Sequence, residues 1–69
     1  MNKNQKIALI ETNLKLKDLA VLLDRHPGHL SAVFSGKYRA PETRKRIAQA
    51  LGTSEAFLWP SDEIEESNG

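Results

Sequence analysis

A chain of 69 residues, 39% hydrophobic and 28% charged, holds one small domain at most. With no cysteine it has neither disulfides nor thiolate metal sites, and with no apolar run long enough for a signal peptide or membrane span a cytoplasmic protein is expected. The net charge of +1 conceals an asymmetry: ten Lys and Arg meet five acids up to Leu58, a balance of +5, whereas Asp62, Glu63, Glu65 and Glu66 follow with no base, giving −4.

Residues 1–4 read as a flexible N-terminus. From Gln5 to about Asn13, Ile7, Ile10 and then Leu14 mark one apolar stripe, which predicts a first helix with Thr12-Asn13 as a weak stop. A second helix is expected from about Leu16 to Leu23, where Leu19, Ala20, Leu22 and Leu23 recur at helical spacing. Asp24 sits where the chain must leave this helix, and Asp tolerates the left-handed conformation at modest cost. His26-Pro27 then reads as an N-cap and first helical residue, because the amide that Pro lacks has no partner in a first turn anyway.

The third helix, from about Pro27 to Ser35, turns Leu30, Val33 and Phe34 inward and ends before Gly36, a residue suited to a left-handed cap. Gly28, His29, Ala32 and Ser35 remain outward, so a helix of barely two turns carries a thin outer face. That shape suits a major groove, which admits one α-helix and little else. Lys37, Tyr38 and Arg39 follow in a loop. Pro41 opens a fourth helix through PETRKRIAQAL with Ile47, Ala48 and Leu51 inward, and Gly52 ends it. Ser54 is an N-cap candidate for a last helix, Glu55–Trp59, stopped by Pro60. Residues 61–69 are acidic and aperiodic, and read as a disordered tail. The sum is an all-α, compact five-helix domain over residues 5–60, with a helix-turn-helix at helices two and three.

The ordered residues Leu14, Asp18-Leu19-Ala20, His26, Leu30-Ser31, Gly36-Lys37, Pro41, Ile47-Ala48, Ala50-Leu51-Gly52 and Ser54…Leu58 resemble the Cro/repressor-type helix-turn-helix family, the lambda-repressor-like DNA-binding fold. The match covers roughly residues 5 to 60. The ending ALGTSEAFLWPSD also looks like the Ner-type regulators of Mu-like phages. The family resemblance implies that the third helix enters the major groove, with Pro27, Gly28, His29 and Ala32 toward the bases. This chain departs from the family where Pro, Gly and Ala replace the usual polar readers. Direct readout is therefore sparse, with His29 the plain donor and Ala32 suited to a thymine methyl. Further departures are Leu16 at a position that often holds a polar phosphate anchor, Asp24 for glycine, and Arg25 for a small apolar residue. Arg44 replaces a core apolar residue, so the fourth helix is expected to begin more exposed.

Phosphate contacts are expected from Lys17, Arg25, His26, Ser31, Lys37, Tyr38 and Arg39, against the plainer reading of a solvated polar surface. The run Arg44-Lys45-Arg46 fits a solvated helix face better, because consecutive helical residues point about 100° apart. Two-fold dimers of this family often use the last helix, which makes Phe57 and Trp59 the candidates for an interface between two copies. No catalytic constellation, metal site, cofactor or small-molecule effector is expected; His26 and His29 lack the further ligands a metal needs. The basic domain fits double-stranded DNA, and the acidic tail a solvating or competing role. The expected function is a phage or prophage repressor acting by operator occupancy. An activator or antitoxin of the same fold, and a protein-interaction module using Phe57 and Trp59, remain open.

Overall fold

The residues that punctuate the apolar pattern become helix caps in the computed structural model, which describes residues 1–60. Its elements are α1 (Lys3–Thr12), α2 (Leu16–Leu23), α3 (Pro27–Ser35), α4 (Pro41–Leu51) and α5 (Glu55–Leu58). Pro27 and Pro41 each stand in a first turn, and the Ser54 hydroxyl accepts the Phe57 N–H at 3.1 Å to start α5. Asn13, Asp24, Gly36 and Gly52 close α1 to α4 in the left-handed conformation. The acidic tail, residues 61–69, lies outside the described residues.

The beginning of the chain differs from the sequence expectation. Asn2 is the N-cap of α1 and Lys3 and Asn4 are helical, so residues 2–4 are structured rather than flexible. The Asn2 side chain accepts the Gln5 N–H at 2.8 Å, and the Gln5 side chain accepts the Asn2 N–H at 3.0 Å, a reciprocal capping box. The expected apolar stripe is also on the wrong side. Ile10 is 77% exposed and Ile7 is exposed, whereas Gln5, Ala8 and Leu9 face the core. In α2, likewise, Leu22 and Val21 are exposed and the inward set is Leu19, Ala20 and Leu23.

The core joins these inward faces to Leu30, Val33 and Phe34 of α3, Ile47, Ala48 and Leu51 of α4, and Leu58 and Trp59. Helix α2 packs on α3 and α4, and α1 packs on α5 and α4, so the ends of the described chain meet. That meeting is polar as well as apolar. Asn2 Nδ2 donates to the Leu58 carbonyl and Asn4 Nδ2 to the Phe57 carbonyl, both at 2.9 Å. Fully buried Gln5 spends its amide hydrogens on Leu58 O (2.8 Å) and Phe34 O (2.9 Å).

Two further expectations are corrected at this end. Arg44 does not leave the start of α4 exposed: it is buried, with Cζ 4.7 Å from the centroid of the Trp59 ring. Trp59 in turn stacks on Phe34 (6.0 Å, 25°), and its Nε1–H donates to Val33 O at 3.0 Å. With 6% of its surface left, Trp59 belongs to its own core and offers almost nothing to a second copy. Phe57, 37% exposed, keeps an accessible face.

Replacing Gln5 by Met keeps the volume but takes the Gln5 donor from Phe34 O and leaves Leu58 O with the Asn2 side chain alone. Each buried unpaired group costs about 1–3 kcal/mol. The Gln5→Met variant is expected to lose about 1–3 kcal/mol in urea unfolding, a large share of what so small a domain has. Stability within about 0.5 kcal/mol of the parent would show that the bridge is dispensable.

Candidate functional site

Two helices joined by three residues set the geometry of α2, α3 and the loop that follows. Asp24 takes φ 55° and ψ 51°, which turns the chain out of α2, and the Arg25 N–H then closes on Ala20 O at 2.9 Å. His26 is extended, and its Nδ1 accepts the Gly28 N–H at 3.0 Å, so imidazole replaces the usual hydroxyl or carboxylate cap. With Nδ1 an acceptor, the ring proton lies on Nε2, where it is a donor. The Arg25 guanidinium folds back onto the Asp24 carbonyl at 3.0 Å while the residue stays exposed.

Leu30 and Val33, both fully buried, and Phe34 hold α3 to the core. Gly28, Ala32 and Ser35, at i, i+4 and i+7, therefore run along the opposite ridge. No side chain on that ridge is longer than serine. Ser31 is exposed to one side of the ridge, and His29, half-buried, lies to the other. Pro27 and Gly28 are exposed at the first turn, and Ala32 is half-buried. A Cβ at Gly28 would come within 3.1 Å of His26 Nδ1, so glycine here also leaves room for the cap.

The end of α3 turns the chain back along the helix. Gly36 has φ 86°, a region costly for other residues, and no atom lies within 4 Å of where its Cβ would be, so the demand is conformational. The Lys37 and Tyr38 amides then donate to Ala32 O at 2.9 and 3.4 Å. This return lays the Tyr38 ring on the His29 imidazole, with centroids 5.9 Å apart and planes 27° apart. The pairing joins residues nine apart across a helix end, and nothing in their sequence spacing announces it.

Of the residues singled out from the sequence, Lys17, Arg25, His26 and Pro27 line one shallow groove with Ala20, Val21 and Asp24. Lys37, Tyr38 and Arg39 are exposed at the other end of α3. Lys45 and Arg46 are exposed on α4, whereas Arg44 is withdrawn into the core. The structure thus gathers a bare helix ridge with cationic residues beyond both of its ends. Among the described residues, no group of three His, Asp or Glu is placed to hold a metal ion, and no helix is long and apolar enough to cross a membrane. Comparison of the chain with protein-family models, curated proteins and solved structures finds no match.

Asp24 is a candidate for a stabilising change. Its left-handed backbone favours glycine, and its carboxylate stands at the negative end of the α2 dipole. Asp24→Gly is expected to raise stability by about 1 kcal/mol, or about 4–8 °C in Tm. A lower Tm in a thermal melt would refute that reading of the turn.

Proposed function

We propose that this chain is a sequence-specific, double-stranded-DNA-binding transcriptional regulator in which α2 and α3 act as a helix-turn-helix. The observation that carries the reading is the bare Gly28–Ala32–Ser35 ridge with cationic residues at both ends of α3. A nine-residue helix is about 13 Å long, close to the ~12 Å width of the major groove. With the ridge against the base edges, Lys17 and Arg25 at one end and Lys37 and Arg39 at the other lie toward the two phosphate backbones that border the groove. The His26 Nε2–H and the Ser31 hydroxyl add neutral donors. This arrangement agrees with the resemblance to the Cro/repressor-type family, and it accounts for the +5 balance of the chain up to Leu58.

Few side chains in this proposal read bases directly. His29 donates to an acceptor on a base edge, Ala32 meets a thymine methyl, and Pro27 and Gly28 permit close approach. The remaining selectivity comes from DNA shape, read through the spacing of the phosphate contacts. Regulation follows from occupancy: a cytoplasmic protein of this kind, from a phage or prophage, represses by covering the site where RNA polymerase must bind. If two copies bind a palindromic site, half-sites about 34 Å apart are required, and Phe57 is an exposed aromatic available to join them.

Anisotropy of a labelled random duplex pool, titrated at several salt concentrations and followed by sequencing of the bound fraction, tests the proposal. Affinity is expected to fall steeply with salt and a motif to emerge. Lys37→Ala should weaken binding to every sequence alike and lower the salt slope by about 1, whereas His29→Ala should relax preference at one base pair. Absence of binding at low salt would retire the DNA reading and direct attention to Phe57 and its surroundings as a protein-docking surface.

A further inference from the structure

The His29–Tyr38 pair lies outside the hydrophobic core. Neither ring belongs to the core cluster, and Tyr38 is 51% exposed. Yet the two are brought together by specific means: the left-handed Gly36, the return of the Lys37 and Tyr38 amides to Ala32 O, and a stacked contact with centroids at 5.9 Å. Histidine on a free helix surface samples several rotamers, and a single imidazole donor selects a base only if it arrives in one orientation. An aromatic ring stacked on the imidazole restricts that choice while leaving the ring edge, where the nitrogens are, outside the stack.

We infer that Tyr38 is a specificity-determining positioning residue, which holds the His29 imidazole so that it donates to a purine acceptor (N7, or guanine O6) in the major groove. The inference rests on the proposed DNA-binding role and assigns within it a different task to Tyr38 from the phosphate contact expected from its hydroxyl. The ring, not the hydroxyl, is the working part. Lys37 and Arg39 on either side in sequence attract the backbone regardless of base, and Tyr38 sets what His29 reads. Selectivity then depends on a loop residue that touches no base.

The test uses the full chain with Tyr38→Ala, Tyr38→Phe and His29→Ala, alone and with Tyr38→Ala and His29→Ala combined. In site selection, Tyr38→Ala is expected to reduce preference at one base pair about tenfold, the worth of one base contact. His29→Ala should relax the same base pair, the double variant should lose no more than either single one, and Tyr38→Phe should retain the preference. NMR of the free protein gives a second readout, independent of DNA. The His29 ring protons, shifted upfield by the Tyr38 ring, should move downfield in Tyr38→Ala and stay in place in Tyr38→Phe. Equal loss for all sequences with Tyr38→Ala, or Tyr38→Phe behaving like Tyr38→Ala, overturns the inference in favour of a hydroxyl–phosphate contact. Unchanged His29 signals in Tyr38→Ala overturn the pairing itself. Failure of the parent chain to bind any duplex, with the ring shifts intact, removes the DNA reading and this inference with it.

Discussion

A helix that ends inside a small domain leaves carbonyls that must find donors, and α3 ends with three of them close together. Ala32 O accepts from the returning loop, Val33 O from the Gly36 amide and the Trp59 indole, and Phe34 O from the buried Gln5 amide. Two of these donors come from the far ends of the described chain, 29 residues before Phe34 and 26 after Val33. Pairing them forces α1 against α5, puts Trp59 on Phe34, and brings Arg44 over Trp59. The arrangement of the hydrophobic core is thus tied to a polar requirement at the end of one helix. An unpaired buried carbonyl is costly enough to choose between alternative packings of so few apolar side chains.

This dependence explains what could be read from the sequence. Helix ends are chosen by local chemistry, so Pro27, Pro41, Gly36, Gly52 and Ser54 mark their boundaries without reference to distant residues. The inward face of α3 was legible for the same reason, since Leu30, Val33 and Phe34 stand at helical spacing with no competing apolar set. The inward face of α1 was not. Hydrophobicity favours Ile7 and Ile10, but the partners that draw Gln5 inside lie 29 and 53 residues away. The capping role of Asn2 is hidden in the sequence because it requires a helix that starts two residues earlier than the apolar pattern suggests. Arg44 and Trp59 are obscured in the same way, because both are buried and the guanidinium of one lies over the ring of the other.

At the candidate site the same division holds. The thin outer ridge of α3 and the cations around it follow from residue order, and the His26 cap follows from its place before Pro27. The stacking of Tyr38 on His29 does not, because it depends on how far the chain turns back after Gly36. The two ends of α3 consequently differ in kind. Its C-terminal end is fixed by side chains from elsewhere in the domain, whereas Pro27 and Gly28 stand exposed at its N-terminal end. Helix α3 is thus supported at one end and open at the other.

The clasp between Asn2, Asn4 and Gln5 on one side and Phe57 and Leu58 on the other also governs how the domain could be built into larger assemblies. Both entry and exit of the folded unit lie beside the Phe34 end of α3, roughly the length of that helix away from Pro27. Polypeptide joined before Asn2 or after Trp59 therefore sets out from one shared pole. The opening turn of α3 stands clear of both points where the chain enters and leaves the folded unit.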